Sequence, residues 1–505
     1  MPRRPTAALA SALLALTTAA LGAPAPRPLG AQVAQSEYAA RRAALAAALE
    51  DGVVLALGAP EPAENYLSFN QGSRFLYLTG VREPDAALVM VKRGGAVTST
   101  LFVLPRDPAR EVWTGSRLGA EAAAKLTGIP ARDAAELPRV VDSLLGAGLP
   151  LRVVANLSEG GEQPAAEEKA VAALARGHEG GGRQVDLAPT RAVDRLRGTK
   201  SAAELDLIRK AVAITVDAQR AAMSAVRPGI NEFELQALIE YTFRRNGADR
   251  PSFATIVGSG PNATTLHYNA DDRFTQPGDM VVMDIGASYR GYAADVTRSV
   301  PVSGKFTPEQ RAVYQLVRDA QSAAERRATV GTSKRALAET AAGVIAAGLA
   351  RLGLIESPDA TYDCGQGEGG TCPQYRLYYM HGLGHGIGLD VHDPDQYDWS
   401  KLAPGSAFTI EPGVYVRGNL LEILPDTPRN RAMIAKIRPA VERYRNVGVR
   451  IEDDYIATDS GVEWVSRAPR ELAEVEALLA RPRTDGVTKR DEAKVEWYRA
   501  TAGNR

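Results

Sequence analysis

The chain has 505 residues, 45% of them hydrophobic, so it can bury a large core and divide into two or three domains. Its 60 Lys and Arg balance 60 Asp and Glu, and with zero net charge and no basic block the composition argues against nucleic acid as a partner. Arg3 and Arg4 precede a mostly apolar run over residues 7–22, followed by small residues at two cleavage positions, after Ala25 and after Ala31. This pattern predicts a secretory signal peptide over residues 1–31 and an exported protein, periplasmic or extracellular. A retained N-terminal anchor is the alternative. No later stretch reaches the ~18 uninterrupted apolar residues of a membrane span.

Residues 36–49 read as a helix ended by Gly52, and 53–57 as a buried strand. Further strands are predicted at 75–78, 86–91 and 101–104, with helices at 120–126 and 134–145. The polar stretch 176–184 reads as a surface loop in which His178 is solvated. These elements form a mixed first domain over 32–190, and a second is predicted over 191–480. Ser201 and Glu204 have capping-box spacing and open a helix to about residue 226. Asn231 caps a second helix that ends near Gly247; Thr307 and Gln310, with Pro308 at the first helical position, open a third. Helices alternating with antiparallel-looking strands predict α+β layers rather than a doubly wound parallel sheet. A helix over 471–480 and a polar tail over 481–505 close the chain, with no tandem repeat of about 20 to 50 residues.

The most informative stretch is 281–300, VVMDIGASYRGYAADVTRSV. An apolar run over 281–285, a turn within 288–291 and a β-branched return predict a hairpin that sets Asp284 and Asp295 roughly opposite each other. Directly opposed side chains lie about 5 Å apart at Cβ, where like charges destabilise unless a cation sits between them.

Five histidines occur in the chain, and four stand in two short places: His267 in LHYNADD, and His381, His385 and His392 in HGLGHGIGLDVHD. Glu411 follows the apolar run AFTI and precedes Pro412-Gly413, while Glu452 ends the run VGVRI. An ionised carboxylate at the end of a buried strand is costly unless paired or metal-bound, and Arg450 is a salt-bridge alternative for Glu452. Asp284, Asp295, Glu411 and Glu452 carry four negative charges, which two divalent ions would neutralise with a neutral histidine as fifth ligand. An oxygen-rich set with one imidazole favours Mn²⁺, with Co²⁺, Fe²⁺ or Zn²⁺ as alternatives. Two such ions about 3.5 to 4 Å apart share a water and supply hydroxide at neutral pH, which points to hydrolysis. The two cysteines, Cys364 and Cys372, share one Gly-rich insertion, as a disulfide in an exported protein or as two free thiols.

The order Asp284, Asp295, His385, Glu411, Glu452 resembles the metal ligands of the pita-bread metallopeptidases, the family of methionine aminopeptidase, Xaa-Pro aminopeptidase and Xaa-Pro dipeptidase (prolidase). The stretches TIVGSGPNATTLHY, GYAADVTRSVPVSGKFTPEQR, HGLGHGIGLDVHD and GVRIEDD are similar to its proline-directed branch. SRFLYLTGVREPDAALVM is similar to the creatinase-like N-terminal domain of Xaa-Pro aminopeptidases. The resemblance implies an α+β fold, a C-terminal pita-bread domain preceded by a creatinase-like α/β domain. It implies Asp284 bidentate on one ion, Asp295 and Glu452 bridging two, and His385 and Glu411 completing the site, with Glu411 as general base. His267, His381 and His392 would line the substrate pocket and stabilise the transition state, His381 near the scissile carbonyl, with Arg450 and Tyr415 in support.

The activity implied is removal of the residue that precedes proline at the second position, by a metal-bridging hydroxide. Prolidase is the alternative, and a non-catalytic peptide-binding protein on the same fold a third reading. The bond concerned is a tertiary amide without N–H, so recognition must rest on ring shape and on protonating the leaving nitrogen. A homo-oligomer is common in the family. Two departures stand out, the Cys364 and Cys372 insertion and a long segment over 416–447, and both are expected near the pocket mouth.

Overall fold

The computed structural model describes residues 33–64, 67–158, 162–178, 186–365, 370–395 and 400–481. The predicted signal peptide, nearly all of the polar tail and most of the two glycine-rich loops lie outside the described residues. No helix among the described residues is long and apolar enough to cross a membrane.

The first half is built on a five-stranded sheet in the order Ala131–Asp133, Ala96–Val103, Ala87–Arg93, Gly52–Leu57, Leu151–Val154. Its inner pairs are antiparallel and its two outer pairs parallel. The sequence GVVLAL of Gly52–Leu57 suits this place, because both faces of the strand are covered. The strand predicted at 75–78 is instead the middle of a helix, Ser73–Thr79. Every side chain from Arg74 to Thr79 is buried, so the run carries no periodicity that separates strand from helix. Gly80 decides the matter: at φ 70° its N–H closes the helix onto the Leu76 carbonyl at 2.8 Å. His178 is not merely solvated, since its Nε2 lies 2.9 Å from Asp142 Oδ1.

In the second half the predicted caps stand as expected. The Glu204 N–H donates to Ser201 Oγ at 3.3 Å and the Ser201 N–H to Glu204 Oε2 at 2.9 Å, opening the helix Ala202–Ala225. Asn231 and Thr307 open Glu232–Arg245 and Pro308–Arg327 in the same reciprocal way. These helices pack against short antiparallel sheets, one of Ile256–Ser259, Met280–Ile285 and Val296–Pro301, another of Ala407–Ile410, Asp453–Thr458 and Gly461–Trp464.

The hairpin forms, with a different pairing of its acids. Asp284 pairs with Thr297, and the register that joins Ile285 to Val296 and Ser288 to Ala293 sets Asp295 across from Gly286. The two aspartates are therefore diagonal neighbours on one face rather than opposite residues. The turn is Arg290-Gly291, with φ 53° and 85°, as a two-residue turn matching the strand twist requires.

The halves share a core. Leu76 and Val193 pack in one apolar cluster with Leu207, Tyr292 and Leu389, and the helix Ala188–Arg197 runs across residue 190. Within the second domain, ion pairs tie the end of this helix and its continuation to the segment 390–395: Arg197 with Asp390 and Asp393, and Lys200 with Asp395 at 3.0 Å and Asp393 at 3.4 Å. Ser73 Oγ donates to Asp390 Oδ2 at 2.8 Å from the first half.

Cys364 and Cys372 form a disulfide, Cα–Cα 5.7 Å, across the pair Thr361–Asp363 and Thr371–Pro373. The long segment folds into the helix Pro428–Arg443, and the two departures meet: Asn430 Nδ2 donates to the Asp363 carbonyl at 2.9 Å and Thr427 Oγ1 to Asp363 Oδ2 at 2.6 Å.

Gly286 has no room for a side chain, because a Cβ there would meet the Ala294 carbonyl oxygen at 1.9 Å. Gly286→Ala is expected to cost ~3 kcal/mol by forcing the hairpin apart beside Asp284 and Asp295, read as a lowered thermal-unfolding midpoint.

Candidate metal centre

Each acid predicted to hold metal comes from the end of a strand. Asp284 lies on Met280–Ile285, Asp295 stands just before Val296–Pro301, Glu411 follows Ala407–Ile410, and Glu452 falls between Gly448–Arg450 and Asp453–Thr458. His385 is tied beside Glu411 by Thr409, whose N–H donates to the His385 carbonyl at 2.9 Å and whose Oγ1 accepts the His385 N–H at 3.1 Å. Its Nε2 lies 3.5 Å from Asp295 Oδ2, 3.4 Å from Glu411 Oε1 and 4.0 Å from Glu452 Oε1. Nδ1 donates to the Gly386 carbonyl at 3.0 Å, which leaves the Nε2 lone pair facing the carboxylates.

Burial, followed by the charge of the neighbouring carboxylates, pushes Asp295 and Glu452 well above the ordinary carboxylate range. Burial also raises Glu411, against the pull of His385 and Arg450. Arg450 is the one Arg or Lys among the described residues that forms an ion pair with a carboxylate of these acids, and it pairs with Asp284 rather than Glu452. Glu452 Oε2 accepts instead from Thr297 Oγ1 at 2.7 Å. From Arg450 a chain of donors runs outward: Nη1 to the Tyr415 hydroxyl at 2.9 Å, that hydroxyl to His381 Nε2 at 2.9 Å, and His381 Nδ1 to the Gly382 carbonyl at 2.8 Å. Burial, with the charge of Arg450 second, pushes the His381 imidazole down to about 3. A neutral ring is what this chain of donors requires.

Three carboxylate oxygens, Asp284 Oδ1, Asp295 Oδ1 and Glu452 Oε1, are buried with no hydrogen-bond partner among the described residues. Ligand atoms of Asp295, His385 and Glu452 all lie within 4.8 Å of one another. Orphaned anionic oxygens beside an imidazole lone pair suit a hard divalent cation, so the donor set fits metal. His392 is exposed, its ring centroid 4.3 Å from that of His385. His267 is also exposed, and the carbonyl of its neighbour Leu266 lies 3.5 Å from Arg450 Nη2.

Residues 206–459 match the model of metallopeptidase family M24, and residues 38–149 match that of the aminopeptidase P N-terminal domain. The chain belongs to metallopeptidase family M24. It is 34% identical over 468 residues to the Xaa-Pro aminopeptidase of Escherichia coli (strain K12), covering 90% of this chain and 99% of that one. It is 31% identical to Xaa-Pro aminopeptidase 3 of Mus musculus, covering 89% and 87%. Among solved structures, a variant of Escherichia coli aminopeptidase P in complex with substrate matches with TM-score 0.73 and 33% identity, over 89% of this chain and 98% of that one. Proline aminopeptidase P II from Yersinia pestis matches with TM-score 0.74 and 33% identity, over 89% and 100%.

Two glutamines unforeseen in the sequence hold the acids of this M24 site from behind. Gln219, on Ala202–Ala225, donates through Nε2 to the carbonyls of Met283 and Val296 at 2.8 Å each, the residues flanking Asp284 and Asp295. Gln321, on Pro308–Arg327, donates to the carbonyls of Ile410 and Ile451 at 3.3 Å each, the residues preceding Glu411 and Glu452, and to Asp453 Oδ2 at 2.9 Å. Both side chains are fully buried on the apolar stripe of their helix, and a lone amide on such a stripe is the signal that could have revealed them. Asp454 was missed too; its Oδ2 accepts the Asp295 N–H at 3.1 Å.

Gln321→Leu keeps the volume and removes the donor. Metal affinity is expected to fall about 10- to 100-fold with the fold retained, read by titrating metal-stripped protein with Co²⁺ and following its absorption.

Proposed function

We propose that this M24 peptidase is a Xaa-Pro aminopeptidase, acting on peptides with proline at the second position, as the names of its relatives state for them. The observation that carries the reading is the set of orphaned carboxylate oxygens facing the His385 lone pair in a chain that matches those relatives over most of its length. Two divalent ions held by Asp284, Asp295, His385, Glu411 and Glu452 would supply Lewis acidity and an acidified water, with Mn²⁺ the proposed metal and Co²⁺, Fe²⁺ or Zn²⁺ the alternatives.

The protein's own groups do the rest. Glu411, raised by burial, takes the proton of the attacking water, and its Oε2 lies 3.7 Å from His381 Nδ1. Arg450 fixes Asp284 and holds the Tyr415 hydroxyl against His381. With both ring nitrogens engaged, His381 serves as a neutral support at the carbonyl side of the site. His392, beside His385, and His267 are the proposed groups for the scissile carbonyl and for protonating the leaving nitrogen, a reading supported by the exposure of both rings and by the 4.3 Å between the His385 and His392 ring centroids. We also propose export to the periplasm or the exterior, supported by the residue 1–31 pattern and by the disulfide, and a division into domains at 32–190 and 191–480.

The test is hydrolysis of Ala-Pro and Ala-Pro-Ala by metal-stripped mature protein with and without Mn²⁺. Metal-dependent cleavage of the tripeptide is expected, with Glu411→Gln slower by ~10²- to 10⁴-fold. Cleavage of the dipeptide alone would move the assignment to prolidase. No cleavage by protein holding two ions would leave a peptide-binding protein.

A further inference from the structure

Where the two halves meet, a cavity of about 480 Å³ is lined by both His392 and Arg250, with Ser158 from the first half and Ser252 and Ser288 from the second. A smaller cavity of about 90 Å³ shares Arg250 and Ser288 with it, so the opening continues along the tip of the hairpin. The mechanism above uses His392 at this place and leaves Arg250 without a task.

Arg250 is held in one pose. Its Nε donates to Asn70 Oδ1 at 3.0 Å, and Nη1 donates to the carbonyls of Pro251 at 2.8 Å and Ser252 at 3.2 Å. All three acceptors are neutral, and no carboxylate pairs with this guanidinium among the described residues. Of the acids whose charge reaches it, Asp390 lines the same cavity but its Oδ2 holds Arg197 at 2.7 Å and Ser73 at 2.8 Å, and Asp249 Oδ2 accepts from Arg82 at 3.4 Å and from the Gly291 N–H at 2.9 Å. Burial lowers the pKa of Arg250, as expected of a cation withdrawn from water without a close counter-charge. A fixed, half-buried guanidinium with Nη2 uncommitted is a binding group for a carboxylate.

The substrate's geometry says which carboxylate. An aminopeptidase leaves one residue on the amino side of the cut, so a cavity extending from His392 must receive the residues after it. A sphere of 480 Å³ is about 10 Å across. Two extended residues, the proline and one more, span about 7 Å. A dipeptide's carboxylate falls one residue, about 3.5 Å, short of the same reach. Resting on the aminopeptidase reading, we propose that Arg250 binds the C-terminal carboxylate of Xaa-Pro-Xaa tripeptides, and that free tripeptides are the preferred substrate class of this enzyme.

The experiment compares Ala-Pro-Ala with its C-terminal amide on the metal-loaded full chain. The acid is expected to be better by about 10- to 100-fold in kcat/KM, carried by KM. In Arg250→Ala the two peptides converge through KM, and Arg250→Lys keeps part of the difference. Equal values for acid and amide in the unaltered protein, or a preference that survives Arg250→Ala, overturns the proposal. The comparison on the unaltered protein decides the matter even where the variant fails to fold. Turnover of neither peptide counts against the aminopeptidase reading itself. In that case calorimetry with Pro-Ala and Pro-Ala amide still reads the Arg250 site: tighter binding of the acid supports it and equal binding overturns it.

Discussion

Four carboxylates meet in a buried pocket where, among the described residues, one guanidinium pairs with a carboxylate of the set, and the rest of the catalytic half is arranged around their mutual repulsion. Asp284, Asp295 and Glu452 are each less than a tenth exposed, and Arg450 is committed to Asp284 alone among them. Left to themselves the acids would take up protons or spread apart, and the raised pKa values of Asp295, Glu411 and Glu452 record that pressure. What resists it is backbone rather than side chain. Gln219 ties together the carbonyls beside one pair of acids, and Gln321 those beside the other. Arg298, fully buried, adds a third tie by donating to the Thr297 carbonyl at 2.8 Å and the Glu452 carbonyl at 2.7 Å. A site held this way keeps its shape whether or not its charge is neutralised, so the binding energy of a cation need not rebuild it.

The segment that borders the seam between the halves follows the same logic on a larger scale. Arg197 and Lys200 face Asp390, Asp393 and Asp395, two cations against three acids, in a cluster where Asp395 and Asp393 are nearly inaccessible. Buried ion pairs of this kind add little net stability and much geometric specificity. Here the specificity falls on residues 385–395, the segment that carries His385 and His392. The first domain is thus more than an appendage: Ser73 holds Asp390 of that segment, and Arg74, Leu157 and Ser158 line the cavity that His392 also lines.

Much of this was readable from the sequence because local rules and global fold agree there. The capping boxes at Ser201 and Thr307 are decided within four residues and formed as predicted. Glu411 and Glu452 were legible as costly groups at the ends of apolar strands, Asp284 and Asp295 as a hairpin pair and His385 through its cluster and the family resemblance, and the chain does gather the four acids and one imidazole. Three features were not legible, for separate reasons. Residues 75–78 are buried all round, so their pattern could not distinguish helix from strand until Gly80 supplied a left-handed cap. The aspartates were placed opposite each other because the register of a hairpin depends on its turn, and the turn at Arg290-Gly291 shifts the pairing by two. Gln219, Gln321 and Asp454 act on partners about 60 to 160 residues away, a relation that no local spacing encodes.

The two departures from the family pattern pack on each other, and a chain of hydrogen bonds leads from them toward the site. Among the described residues, none of those lining the cavity with His392 comes from the disulfide hairpin or from the helix Pro428–Arg443. Those two segments instead bind each other through Asp363, Thr427 and Asn430, and Thr371–Pro373 leads directly into the turn Gln374–Leu377. Gln374 anchors that turn by donating to Glu356 Oε2 at 2.8 Å, and the next residue after it, Tyr378, accepts the Tyr415 N–H at 3.0 Å. Tyr415 is the link between Arg450 and His381. The insertion is therefore linked through Gln374 and Tyr378 to the strand that carries Tyr415, the partner of His381. The cavity at the seam is lined instead by Arg74, Leu157 and Ser158 of the first domain together with Arg250, Asp390 and His392 of the second.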